Sequence, residues 1–140
     1  MAGADATNRP RMTWRYEPDE NPKRKHHWDR QHAGFVTVGR IRVGKCPSTM
    51  DASSAQALLE EAIPYSPPRW DRPYPKRLYA VSDGVVYRAA PTNPGTSYHG
   101  FPEHPQTFPR AGNARNVKRQ LLERAARQGC EREVRQWMNW

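Results

Sequence analysis

The chain has 140 residues, which is the length of one folded domain. Its 23 Lys and Arg residues outnumber its 14 Asp and Glu residues and give a formal net charge of +9, while 36% of all residues are hydrophobic. These figures exclude a membrane-spanning helix, which needs about 18 consecutive apolar residues, and they disfavour a doubly wound nucleotide-binding enzyme and a wholly disordered chain.

The N-terminal region, residues 1–33, is predicted to be an irregular basic arm. Three prolines and a Lys-Arg-Lys cluster interrupt it, and its apolar residues follow neither helical nor strand periodicity. Trp14 and Trp28 indicate that part of the arm packs against a single compact domain, which we expect over residues 34–140. No apolar segment typical of a secretory signal lies near the N-terminus, so we expect a cytoplasmic protein, or one exported by a specialised system without a signal peptide.

The first regular elements are a strand and a helix. Residues 35–43 are β-branched and alternate, which predicts a strand with Arg40 and Arg42 on one side. A Ser-x-x-Asp capping pattern and apolar residues at helical spacing then predict a helix over about 50–63. Five prolines within residues 64–76 predict an extended connector after it.

An Asp-Gly pair between two apolar runs predicts a β-hairpin over residues 78–90. With a two-residue turn, Tyr79 is expected opposite Arg88 and Ala80 opposite Tyr87. Together with the earlier strand, this hairpin is expected to form a small antiparallel sheet.

The C-terminal part is predicted to be a long loop followed by two helices. Residues 91–112 are rich in proline and glycine and predict the loop. Helical spacing of apolar residues predicts helices over about 113–128 and 131–139, with Asn113 as the cap of the first and Gly129 at its end. The expected fold is therefore α+β, with the helices packed on one face of the sheet.

The positive charge predicts a polyanionic partner, with RNA or another nucleic acid as the first expectation. Arginine, with 18 residues against 5 lysines, suits bidentate phosphate contacts and stacking on bases. Residues 109–140 hold eight basic and three acidic groups, which indicates a docking surface there. The candidate nucleic-acid-binding residues lie on the first strand, the aromatic basic connector and the first C-terminal helix: Arg40, Arg42, Trp70, Arg77, Arg115, Lys118 and Arg119.

The candidate catalytic residues centre on residues 96–101, where small residues, a tyrosine and a histidine lie together in the predicted loop. Metal-free RNA cleavage needs a base for the 2′-hydroxyl, an acid for the leaving oxygen and cations for the charged phosphorane. We expect His99 to act as base or acid with Tyr98 as its partner, Arg88 to hold phosphate and Lys45 to add charge. In layout the chain is similar to compact bacterial toxin-type ribonucleases, a class that would need an acidic inhibitory protein as a further partner.

Two alternatives stand beside this hypothesis. The first is a module that binds nucleic acid without cleaving it. The second is a hydrolase or transferase that uses Cys46 and His99, because a position beside Lys45 and before a helix lowers a thiol pKa. The competing interpretation of Cys46 is a small buried residue at a turn.

No metal site and no cofactor are predicted. The five histidines lack the i, i+4 spacing of a helical metal site, and His26 and His27 are expected to be solvated or phosphate-facing within the basic arm. Residues 39–46 approach a phosphate-binding P-loop, but the intervening residues read as strand, so we reject that interpretation.

Overall fold

The computed structural model describes residues 14–18 and 26–140. The strands are β1 (Arg15–Tyr16), β2 (Gly34–Val38), β3 (Ile41–Lys45), β4 (Ile63–Tyr65), β5 (Arg77–Ser82), β6 (Val85–Asn93) and β7 (Ser97–Pro102), and the helices are α1 (Ala52–Glu60), α2 (Ala114–Gln128) and α3 (Glu131–Met138). The α+β class is confirmed. Most of the predicted basic arm, including its Lys-Arg-Lys cluster, lies outside the described residues. Within them, no helix has the length and apolar character to cross a membrane.

The main sheet has five strands in the order β1-β7-β6-β5-β4. All neighbours are antiparallel except β1 and β7, which run parallel. The β5–β6 hairpin has the predicted register, with Tyr79 opposite Arg88 and Ala80 opposite Tyr87. Its turn residues Asp83 and Gly84 both have positive φ, the conformation that a two-residue hairpin turn requires.

The single strand predicted over 35–43 is wrong. The chain turns back at Gly39, whose φ of 64° allows a tight turn, and residues on either side pair as the separate two-stranded hairpin β2–β3. This hairpin is not part of the main sheet but lies against β7. A Cβ atom at Gly44 would lie 2.9 Å from the carbonyl oxygen of Pro102, so the close approach requires glycine.

The long loop predicted over 91–112 is wrong in its first half, because β6 extends to Asn93 and β7 follows after a short turn at Gly95. The prolines and glycine that suggested a loop occupy this turn and the strand ends. The predicted connector likewise begins with the short edge strand β4, and α1 ends at Glu60 rather than near 63. Asp51 is the residue that caps α1, accepting from the Ser54 N–H at 2.8 Å.

The helices pack on both faces of the sheet, which corrects the expectation of a single covered face. Helices α2 and α3 cover one face and α1 the other. The bounds predicted for α2 and α3 are confirmed to within one residue, and Gly129 ends α2 in the left-handed conformation. Asn113 makes no side-chain capping bond, since its amide donates to the Pro64 carbonyl at 3.2 Å.

Candidate active site

A cleft of about 260 Å³ lies between strands β6 and β7 and the β2–β3 hairpin. The sheet register sets Arg88 opposite Phe101 and Ala90 opposite His99, so Arg88, Phe101 and His99 share one face of the sheet. The polar and aromatic residues of the cleft wall are His26, Phe35, Arg42, Arg88, His99, Phe101, Glu103, His104 and Thr107.

The Arg88 guanidinium is the main cation of this cleft. Its side chain is only 19% exposed, and its Cζ lies 4.7 Å from the centre of the Phe101 ring. Its Nε lies 3.6 Å from Glu103 Oε1, and this buried nitrogen has no hydrogen-bond partner among the described residues. Burial lowers the pKa of Arg88 and the Glu103 charge opposes that shift. Because Arg88 lines the cleft, its guanidinium is placed to attract an anionic ligand there.

Glu103 is fully buried and holds this face together. Its Oε2 accepts from the Tyr79 hydroxyl at 2.7 Å, and its Oε1 accepts from the Thr107 hydroxyl at 2.5 Å and the His104 N–H at 2.9 Å. Arg77 lies 3.7 Å from the same carboxylate. Because both oxygens already accept hydrogen bonds, Glu103 serves to neutralise and orient the two arginines rather than to take a proton from a substrate.

His99 has a defined tautomer. The Thr92 hydroxyl donates its one hydrogen to the Glu17 carbonyl at 2.7 Å, so its 3.0 Å contact with His99 Nδ1 is an Nδ1–H donation from the ring. The neutral ring therefore carries its lone pair on Nε2, the nitrogen that a general base uses.

His26 is buried rather than solvated, which corrects the expectation for this residue. Its Nδ1–H donates to the Gly44 carbonyl at 2.8 Å, and its ring stacks on Phe101 with 4.5 Å between the ring centres. The His26 and His99 rings lie 5.8 Å apart and nearly parallel. His26 thus forms part of the wall against which His99 and Phe101 are held.

His104 has the opposite tautomer. Its Nδ1 accepts from the Gln106 backbone N–H at 3.1 Å, so the neutral ring carries its hydrogen on Nε2. Burial and the positive charge of Arg42 lower the pKa of His104, which favours this neutral form. The ring can donate a hydrogen bond to an anion without itself being charged.

Two of the predicted catalytic residues are not brought into the cleft. Tyr98 is fully buried on the opposite face, where its hydroxyl donates to the Pro75 carbonyl at 2.6 Å, because neighbouring strand residues point to opposite faces. Lys45 does not line the cleft, and its ammonium lies 3.4 Å from the His27 carbonyl. The other two predicted catalytic residues, Arg88 and His99, both line the cleft.

The predicted nucleic-acid-binding residues are spread over four places. Arg42 lines the cleft, and Arg77 lies 3.7 Å from the carboxylate of Glu103, which also lines it. Arg40 is exposed at the tip of the β2–β3 hairpin, and the Trp70 indole donates to the Tyr74 carbonyl at 2.5 Å. The remaining three lie on α2: Arg115, Lys118 and Arg119.

Sequence reasoning missed Glu103, His26, His104 and Thr107 as members of this site. One feature of the sequence could have pointed to Glu103: it is the only acidic residue between Asp83 and Glu123 in a basic chain. The other residues had none, because their positions depend on contacts between segments far apart in sequence.

Cys46 is buried, and burial raises the pKa of its thiol to about 12, the reverse of the expected direction. Helix α1 begins only at Ala52, so its N-terminus does not favour a thiolate at Cys46. The sulfur instead lies 3.6 Å from the Gly100 carbonyl. This environment does not support a nucleophilic pair with His99.

We therefore expect iodoacetamide to alkylate Cys46 at pH 8 more than about a thousandfold more slowly than a free thiol, because the thiolate is scarce. Peptide mapping by mass spectrometry would follow Cys46 separately from Cys130, and a sample unfolded in urea would give the unhindered rate. Rapid labelling of folded Cys46 below pH 7 would restore the thiol hypothesis.

Among the described residues, no group of three or more His, Cys, Asp or Glu side chains is placed to hold a metal ion. No protein family, curated protein or solved structure matches the chain. The case for a function therefore rests on the cleft itself.

Proposed function

We propose that the protein is a small metal-independent ribonuclease in which Arg88 binds the scissile phosphate and His99 acts as the general base. The observation that carries the proposal is the mostly buried Arg88 guanidinium in the same cleft as His99, held by the Glu103 carboxylate at 3.6 Å without a hydrogen bond from its Nε to the described residues. An RNA phosphate offers the guanidinium charged acceptors, and the neighbouring 2′-hydroxyl supplies a proton for the base.

The reaction follows from the tautomer of His99. Its Nε2 takes the proton of the 2′-hydroxyl, and the 2′-oxygen then attacks the adjacent phosphorus. The bond from phosphorus to the 5′-oxygen breaks, and that oxygen takes a proton from water in the cleft. The products are a 2′,3′-cyclic phosphate and a 5′-hydroxyl, and His99 returns its proton to solvent.

The cleft also supplies groups that stabilise the charged phosphorane. Arg88 and Arg42 are its cations, and the Nε2–H of neutral His104 is a third donor. Glu103 keeps Arg88 in place on the face of Phe101. Hydrogen-bond donors fixed before the substrate arrives stabilise developing charge without having to reorganise during the reaction.

The test is to incubate the purified protein with single-stranded RNA in excess EDTA and to analyse the ends of the products. We expect cleavage that leaves 2′,3′-cyclic phosphates, and no cleavage of DNA, which has no 2′-hydroxyl. Absence of cleavage, or activity that appears only when a divalent metal is added, would overturn the proposal.

A second candidate function is nucleic-acid binding without cleavage. It is favoured by the excess of basic residues over 109–140, where eight cationic groups stand against three anionic ones. Such a protein would bind RNA with a steep salt dependence and leave it intact, so the EDTA experiment separates the two functions.

A further inference from the structure

A second concave surface lies next to the cleft. This surface, the distal groove, has a volume of about 370 Å³ and is lined by Phe108, Arg110, Arg115, Lys118 and Trp140 among others. The segment that follows Glu103 connects the two sites, because His104 and Thr107 line the cleft while Phe108 lines the groove. Thr107 and Phe108 are consecutive, so a single step of the chain separates the two sites, and a strand of several nucleotides is long enough to reach both.

The groove combines aromatic rings with cations. The Trp140 and Phe108 ring centres are 5.1 Å apart at an angle of 76°, and the Lys118 ammonium lies 5.1 Å from the centre of the Trp140 ring. Neither aromatic side chain is fully buried. Partly exposed aromatic rings beside cations are an arrangement on which unpaired bases can stack.

The charged side chains that line the groove are all positive. Arg110 and Arg115 are both exposed, Lys118 is partly so, and none of the groove residues that the structure describes is acidic. The groove thus complements a ligand that carries repeated negative charges together with flat apolar groups. A single nucleic-acid strand has both properties, whereas an acidic peptide has the charges without the bases.

We infer that the distal groove binds the nucleotides of a single-stranded RNA that extend beyond the phosphate held at Arg88. This inference rests on the proposed function and specifies its substrate as a strand several nucleotides long. The groove contributes binding and not chemistry, so its removal raises KM for long substrates and leaves kcat unchanged.

The experiment compares 2′-O-methyl RNA strands of about two and about ten nucleotides, which cannot be cleaved because they lack a free 2′-hydroxyl. Binding is measured by fluorescence anisotropy at several salt concentrations for the unaltered protein and for Arg110→Gln/Arg115→Gln. The control, Arg72→Gln/Arg127→Gln, removes the same charge from exposed sites that do not line the groove, and Arg127 lies about 18 Å along α2 from Arg115.

We expect the groove variant to bind the longer strand about tenfold more weakly near physiological salt, with the slope of log K against log salt reduced by about 1.4. The shorter strand and the control variant should change little. The inference would be overturned if both variants lost affinity equally, or if the groove variant kept the dependence of affinity on strand length. Preferential binding of polyglutamate in the groove would also overturn it, because the groove would then fit an acidic protein. If binding depends on strand length but no RNA is cleaved in EDTA, the proposed ribonuclease function is wrong while the assignment of the groove as an RNA-binding surface is retained.

Discussion

The His99→Ala variant should cleave single-stranded RNA with a kcat/KM about 10²–10⁴-fold below that of the unaltered protein. The substitution removes the Nε2 lone pair, whose position on that nitrogen is set by the hydrogen-bond chain from Nδ1–H through Thr92 to Glu17. His99 is only half-buried in the cleft wall, so the fold should persist. Initial rates on a labelled oligonucleotide in EDTA give the effect, and a urea unfolding curve confirms that the variant is folded.

The matched control is Tyr98→Phe, one residue away on the opposite face. It removes a hydroxyl bonded to the Pro75 carbonyl, which should cost about 1 kcal/mol of unfolding free energy and change kcat/KM by less than about threefold. If Tyr98→Phe lowered kcat/KM as much as His99→Ala does, Tyr98 would have to take part in the reaction. A His99→Ala variant with the full rate would remove His99 from it.

The elements that could be predicted from the sequence carry local signals. The β5–β6 hairpin is specified by Asp83-Gly84, whose two residues both adopt the positive φ of the turn. The two C-terminal helices are specified by apolar spacing and by Gly129. In each case a few consecutive residues determine the geometry, so no distant contact has to be known.

Strand β7 could not be predicted because its signals are non-local. Prolines 91, 94 and 102 and Gly95 suggest a loop, yet two of these prolines sit in strands and the other, with the glycine, in the turn between them. The strand forms because it pairs with β6 on one side and with β1, some 80 residues earlier, on the other. Pairing over such a separation leaves no periodic trace in a short window.

The candidate site could be predicted only in part, because some of its residues are recognisable by type while their arrangement depends on strand β7. Arg88 and His99 carry chemistry recognisable from residue type, but it is the pairing of β6 with the unpredicted strand β7 that places them on one face. Because residues 97–102 form a strand and not a loop, the neighbouring side chains of Tyr98 and His99 lie on opposite faces of the sheet. The burial of Glu103 depends on Tyr79, Thr107 and the two arginines converging from three segments, which residue type alone does not reveal.

The Glu103→Gln variant should lose about 3 kcal/mol of unfolding free energy. The substitution preserves the shape of the side chain but removes the negative charge that faces the Arg77 and Arg88 guanidiniums, both at most 20% exposed. It also places an amide donor where the Tyr79 or Thr107 hydroxyl now donates. Two poorly solvated cations without a counter-charge, together with an opposed pair of donors, account for the size of the loss. Urea unfolding followed by tryptophan fluorescence measures it.

Glu123→Gln provides the comparison, because it makes the same chemical change in an exposed ion pair. Glu123 and Arg119 are 2.7 Å apart on α2 with side chains 51% and 60% exposed, so water screens their attraction and the loss should stay below about 1 kcal/mol. The difference between the two variants isolates the effect of burial from the effect of charge. A Glu103→Gln variant as stable as Glu123→Gln would mean that the carboxylate does not anchor Arg88, and the preorganised phosphate site would lose its physical basis.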